Sequence, residues 1–200
     1  YCANQNIKTI FIGHHQDDQA ETFLIRLAKG SGLDGLTAIG MVSERDDITI
    51  ARPFLWLPKE ALIDYCQENN INYVDDPSNE NDEYLRPRLR QSRAVLEQEG
   101  LSSKRLSLTA KRLSRAQEAL IFYMETMQQD AIIRQDDDSV VLDFQSFSAV
   151  PRETSLRVLQ NLIESYREGY DYNVRMEKLE DLFESLMNDP DKFKPRTLGG

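Results

Sequence analysis

Residues 8–22 read K-T-I-F-I-G-H-H-Q-D-D-Q-A-E-T, a short β-branched and aromatic run closed by glycine and followed at once by a helical pattern. An unalternated apolar strand of this kind suits burial on both faces of a sheet. Beyond Asp18 the apolar positions Ala20, Phe23, Leu24 and Leu27 recur at helical spacing, Lys29 falls in the last turn, and Gly30 is placed to cap the end. A strand that runs straight into a helix needs a second strand to return to. Residues 48–56 supply one, with Pro53 marking its end or an edge. Pro58 then opens a helix through about Asn69 with Leu62, Ile63, Tyr65 and Cys66 inward. A third short strand is expected at Ile71–Val74, ending in the turn formers Asp75–Asn79. The alternation predicts an α/β domain built on a parallel sheet.

Past about residue 90 the strand signals fade. Leu106, Ala110, Leu113, Leu120, Met124 and Met127 keep close to a heptad rhythm, with Lys104, Arg105, Lys111, Arg112 and Arg115 on other faces. This predicts one long amphipathic helix with a basic side. The tract Asp136–Asp143 reads as a solvated turn and a short strand, and further helices are expected near 151–167 and 173–187. The chain therefore divides, on its patterning, into residues 1–90 and a mostly α-helical segment, 91–200.

Charge is segregated in the same places. The net charge is −10 over 200 residues, yet residues 85–115 hold nine basic against two acidic side chains between two acidic flanks. A basic band of this kind is the footprint of a polyanion contact, or else a solvated helix face. No apolar run approaches the roughly 18 residues of a membrane span, and no signal-peptide pattern opens the chain, so a cytoplasmic protein without membrane association is expected. Cys2 and Cys66 are too few and too far apart for a disulfide framework or a zinc site.

Two clusters suggest chemistry. Both histidines of the chain, His14 and His15, stand directly before Asp17 and Asp18 at the C-terminal end of a predicted strand, where open parallel sheets place ligands. Asp18 and Glu21 have capping-box spacing and can serve a helix start, but that does not account for the histidines. Carboxylates at such a position suit Mg²⁺, with Asp18 the candidate ligand, whereas a transition metal would want a further well-spaced ligand. Gly30–Gly35 lacks the Lys and Ser/Thr of a phosphate loop and reads as a helix end and turn. In L85-R-P-R-L-R90, Arg86, Arg88 and Arg90 fall on one side if the segment is extended, as Pro87 favours, and could grip phosphates.

Together I12-G-H-H-Q-D-D-Q-A-E-T22, G30-S-G-L-D-G-L36, A51-R-P-F-L55, D75-D-P-S-N79 and R86-P-R-L-R90 resemble the tRNA(Ile)-lysidine synthase family of N-type ATP pyrophosphatases, in order and at fitting separations. The likeness covers residues 1–115 well, and the remainder in its helical character and closing T197-L-G-G200. It implies an adenine-nucleotide alpha hydrolase-like, Rossmann-like catalytic domain followed by a helical tRNA-binding domain, with ATP and Mg²⁺ as cofactors. The family adenylates the C2 oxygen of the wobble cytidine of tRNA(Ile) with a CAU anticodon, releasing pyrophosphate, and free L-lysine then displaces AMP. Asp18, His14, Asp17 and Glu21 would be catalytic. Arg86, Arg88, Arg90, Lys104, Arg105, Lys111, Arg112 and Arg115 would carry the tRNA. A nearby histidine or carboxylate would take the proton of the attacking amine, and a homodimer is compatible with the family.

The S-G-G-x-D-S phosphate loop of such folds does not occur in these residues, so an internal fragment is expected, lacking that loop and the extreme C-terminal domain and unable to complete catalysis alone. A tRNA thiolase of the same group is the nearest alternative, although sulfur transfer needs paired cysteines. A non-catalytic tRNA-binding protein of the same fold is the other.

Overall fold

The computed structural model describes residues 1–74, 85–166 and 176–188. The chain forms two compact units, Tyr1–Gln117 and Glu118–Gly200. The turn expected at 75–79 and the closing Thr197–Gly200 lie outside the described residues.

In the first unit a 3-10 turn (Ala3–Gln5) precedes β1 (Thr9–Phe11), α1 (Gln16–Ala28), α2 (Leu33–Leu36), β2 (Val42–Arg45), β3 (Ile48–Ala51), α3 (Lys59–Glu68), α4 (Leu85–Gln91), α5 (Arg93–Gln98) and the start of α6 (Ser103–Ala131). The sheet has the order β1-β3-β2. β1 pairs with β3 in parallel, Ile10 opposite Ile50, and β2 pairs with β3 antiparallel. The sheet is thus mixed rather than purely parallel. The strand not anticipated, β2, is joined to β3 by Asp46 and Asp47, both at positive φ (50° and 61°), as a tight two-residue hairpin requires. β1 is not buried on both faces: Phe11 is 72 % exposed, and among the described residues β1 pairs only with β3.

Two further expectations are corrected. Residues 71–74 form no strand. Asn70 turns the chain out of α3 at a positive φ of 53°, and Val74 is exposed without a ladder partner among the described residues. On α3, Leu62, Ile63 and Cys66 are half-buried, but Tyr65 faces outward, one helical step beyond that stripe. The end of α1 behaves as expected. Gly30 at φ +70° lets Ser31 N–H return to Arg26 O at 3.0 Å, closing the helix in the left-handed conformation that glycine adopts without strain.

The first core packs Ala20 and Phe23 of α1 against Ala38 and against Leu106 and Ala110 of α6. This packing explains why the units divide at Gln117 and not near residue 90, where the sequence changes character. The apolar face of α1 is covered by α6, so the early part of that helix belongs with the sheet. Gln19 is wholly buried on α1. Its amide donates to Ile39 O and accepts from Ile39 N–H, both at 2.7 Å, which pins the loop after α2. Arg26 Nη1 holds the same loop through the carbonyls of Gly35 (2.8 Å) and Ala38 (2.7 Å).

In the second unit the remainder of α6 is followed by the antiparallel hairpin β4 (Ile132–Gln135) and β5 (Val140–Leu142), then α7 (Phe144–Ser148), α8 (Arg152–Ser165) and α9 (Met176–Asn188). Its core is Met124, Phe147, Leu156, Val158, Leu162, Leu179 and Phe183, drawn from α6, α7, α8 and α9, with Phe147 edge-on to Phe183. Asp143 caps α7 through Gln145 N–H (3.3 Å) and Ser146 N–H (3.0 Å), and the bond from the Ser146 hydroxyl, with these backbone bonds, holds its carboxyl below the usual range. The Tyr166 hydroxyl ties the hairpin turn at Asp136 O and Ser139 O.

Replacing Gln19 by Leu removes both clips to Ile39 while keeping the buried volume. The chain should lose about 2 kcal/mol, the usual cost of stranding paired backbone groups that are partly buried. A urea denaturation midpoint reads this directly, and a change under about 0.5 kcal/mol would mean that water replaces the amide.

Candidate active site

The turn between β1 and α1 is strapped to the segment after β3 by two backbone bonds, Ile12 N–H to Ala51 O and Gln16 N–H to Leu57 O, both 2.9 Å. Leu55, completely buried, anchors that segment. The helix starts earlier than the spacing of Asp18 and Glu21 suggests. Its N-cap is His15, in extended conformation, and Asp18 reaches back to accept from His15 N–H at 2.9 Å. Asp18 is therefore the third residue of the helix and not its cap, and Glu21 is released from the capping role. His15 Nε2 lies 3.4 Å from the same Asp18 oxygen.

Asp17, Asp18 and Glu21 are all buried, at 7–8 % exposure. A buried carboxylate requires a donor or a cation, and α4 and α5 provide them. α4 is helical, contrary to the extended segment anticipated from Pro87. The proline occupies the first turn, where its missing N–H has no helical partner to lose, and it is buried there. Helical spacing separates the three arginines. Arg90 grips Glu21 with both arms, Nε to Oε1 at 2.6 Å and Nη2 to Oε2 at 3.2 Å, and stands 3.9 Å from Asp18. The hydrogen bond to Glu21 is the main reason that the Arg90 guanidinium is held still more firmly protonated. Arg86 and Arg88 are exposed.

Arg93, which the motif reading did not single out, binds Glu97 (2.9 Å), Asp17 (3.0 Å) and Glu60 (3.4 Å). Its pKa is likewise raised, chiefly by the bond to Glu97. Only its place in the basic band hinted at it. Arg52 was also missed as a site residue. It donates from Nε to His14 Nδ1 at 3.2 Å, while its Nη1 is held by Gly40 O (2.9 Å) and Ser43 Oγ (3.0 Å). Burial lowers the His14 pKa. Asp18 opposes that shift, and Arg52, Arg86 and His15 add to it. The two histidines therefore diverge: His14 meets Arg52, and His15 begins the helix.

Beside α1 lies a cavity of about 220 Å³. His15, Asp17, Glu21, Lys59, Arg90 and Arg93 form its polar lining, and Leu24, Leu89, Leu96, Leu101 and Leu106 its apolar wall. Asp17 Oδ1 is buried with no hydrogen-bond partner among the described residues. A carboxylate oxygen beside an apolar wall suits a cationic or N–H group on an aliphatic stem. For a metal ion the donor set is thin. One Asp18 oxygen serves the helix start and the other faces Arg90, and among the described residues no three His, Cys, Asp or Glu side chains gather as a metal site. The transition-metal reading of the two histidines finds no such cluster. The residues fit Mg²⁺ only as a cation carried mainly by substrate phosphates.

Lys104, Arg105, Lys111, Arg112 and Arg115 are all exposed on α6, on the side away from the buried Leu106 and Ala110. Lys111 rests over the Trp56 ring at 5.1 Å, and Arg105 donates to Gly100 O at 3.3 Å.

Residues 1–98 match the family model of the PP-loop domain, which defines the first unit as an α/β domain of that class. Similarity reaches well past that domain. A tRNA(Ile)-lysidine synthase of Bradyrhizobium diazoefficiens is 37 % identical over 183 residues, covering 88 % of this chain and 50 % of the relative. Those of Wolbachia pipientis (33 %, 80 % of this chain, 37 % of the relative) and Methylobacterium nodulans (36 %, 89 % and 53 %) are similar. The chain belongs to the tRNA(Ile)-lysidine synthase family of PP-loop proteins. It spans about half the length, or less, of these curated relatives.

Arg90→Met should destabilise the chain by about 1 to 3 kcal/mol, less than for a fully buried pair because Arg90 is partly solvated, since it leaves Glu21 buried without its cation. Arg88→Met, exposed about half a turn away, should stay within about 0.5 kcal/mol. Equal thermal shifts for the two would remove the distinction between the inward and outward arginines.

Proposed function

We propose that this chain carries part of the machinery for ATP-dependent formation of lysidine at the wobble cytidine of tRNA(Ile) with a CAU anticodon. The observation that carries this reading is that similarity to tRNA(Ile)-lysidine synthases extends beyond the PP-loop domain of residues 1–98 to nearly nine-tenths of the chain. A reading that shared only the nucleotide-binding domain would not account for the second unit.

In this reaction the cytidine C2 oxygen attacks the α-phosphorus of ATP and pyrophosphate leaves. The neutral ε-amine of lysine then attacks C2, AMP leaves with the oxygen, and the nitrogen gives up a proton. Mg²⁺, carried by the nucleotide, would offset the charge of the triphosphate as pyrophosphate departs. The turn after β1 is the chain's contribution to the nucleotide side: it sets His14 and Asp18 at the C-terminal end of a parallel strand, where such sheets bind ligands. The cavity beside Asp17 has the character to receive an amine on an aliphatic stem, and free lysine is a ligand of that kind. Arg86, Arg88, Lys104, Arg105, Lys111, Arg112 and Arg115 form the surface for the tRNA backbone, while Arg90 is engaged with Glu21.

Asp18→Asn keeps an oxygen to accept from His15 N–H but loses the charge. In the whole enzyme, tRNA-dependent ATP–pyrophosphate exchange should fall by about 100-fold. Exchange near the wild-type rate with only a lowered melting temperature would confine Asp18 to the helix start.

RNA binding by the basic surface should weaken steeply with salt, because each neutralised phosphate releases counterions. Arg88→Ala or Arg112→Ala should reduce the log–log salt slope by roughly one unit. Arg134→Ala, on the β4–β5 hairpin among acidic residues, should leave it unchanged. No binding at low salt would return the band to a solvated helix face.

A further inference from the structure

We propose that His14 is held as the neutral tautomer with its proton on Nε2, positioned by Arg52, so that it presents a hydrogen-bond donor to a substrate oxygen and is not the base that deprotonates the attacking amine. A guanidinium has five N–H donors and no acceptor, so the 3.2 Å contact between Arg52 Nε and His14 Nδ1 requires a lone pair on Nδ1. The single proton of a neutral imidazole is then on Nε2. Arg52 has no latitude to reorient. Its Nη1 is bound by Gly40 O and Ser43 Oγ, and its backbone N–H donates to Met41 O at 2.9 Å. The arginine is thus fixed by the chain around β2 and directed at a histidine held by the strapped β1–α1 turn.

Burial of His14 favours the same state. Arg52 from the segment after β3, Arg86 from α4 and His15 beside it also disfavour a further cation there, while Asp18 of α1, the strongest of the neighbouring charges, favours one. Taking up a proton at Nδ1 would break the bond to Arg52 and oppose two positive charges. A proton at Nε2 is therefore available to donate, and no lone pair remains free to accept one. An oxygen of phosphate or carbonyl character is the acceptor this group suits. The donor role rests on the function proposed above, but the tautomer does not, and the two are tested separately.

The chain has only two histidines, so a long-range proton–nitrogen NMR spectrum resolves both rings. At neutral pH, His14 should show an unprotonated, pyridine-like Nδ1 and a protonated Nε2. A protonated Nδ1, or an imidazolium, would overturn the proposal. Arg52→Met should abolish the tautomer preference and raise the His14 pKa toward the ordinary value, with the His15 signals as the check that the turn is intact. Arg86→Met should raise the pKa while leaving the tautomer unchanged. If Arg52→Met leaves both properties unaltered, Arg52 does not position the ring. In the whole enzyme, His14→Gln retains an N–H donor but no base, whereas His14→Ala has neither. ATP–pyrophosphate exchange should stay within about 10-fold of wild type for the glutamine variant and fall by a further 10-fold or more for alanine, on the scale of losing one preorganised donor. Equal loss in both variants would reject the donor role and leave the tautomer standing.

Discussion

Three carboxylates are buried on the first turn and a half of one helix, and a buried anion is tolerated only where donors or cations meet it. Much of the first unit follows from that constraint. Asp18 is met by the helix start itself, where an acidic side chain is favoured by the exposed N–H groups and the helix dipole. Glu21 and Asp17 are met from outside the helix by Arg90 and Arg93, which seat α4 and α5 against α1. The cavity beside α1 is enclosed by the same contacts, so its charged lining and its shape share one origin.

The basic band is accordingly two populations. Arg90 and Arg93 neutralise the protein's own carboxylates and hold the fold. The outward side chains of α4 and α6 remain exposed, and their field acts within a screening length of about 10 Å in ordinary salt. Counting charge along a chain cannot separate these populations, because a guanidinium contributes equally whether it faces in or out. Lys111 shows an intermediate case, its charge exposed but its ammonium seated on Trp56. Such stacking limits the freedom of a long side chain and lowers the entropy lost when a phosphate is bound.

The turn after β1 gains its chemical asymmetry from the geometry of a strand end, where consecutive side chains diverge. One histidine begins the helix and the other meets an arginine from the next strand's exit. Adjacent residues of the same type thus have different partners.

What the sequence determined by itself was whatever a few consecutive residues encode. The strand running into α1, the glycine that ends it, the long α6 and the stripes of α8 and α9 rest on periodicity and on turn residues, which act within one or two helical turns. The hairpin at Asp46–Asp47 left no such trace, because its first strand, Val42–Arg45, is mostly exposed and lacks an apolar pattern. Tertiary structure decided the rest: that Asp18 and not Glu21 serves the helix start, that α4 is a helix despite Pro87, and that Arg52 finds His14, Arg90 finds Glu21 and Arg93 finds Asp17 across 38, 69 and 76 residues. An ion pair leaves no periodic trace along the chain. Its partners are chosen by which surfaces the apolar core brings together, and by the need of each buried charge for whichever opposite group lies within reach.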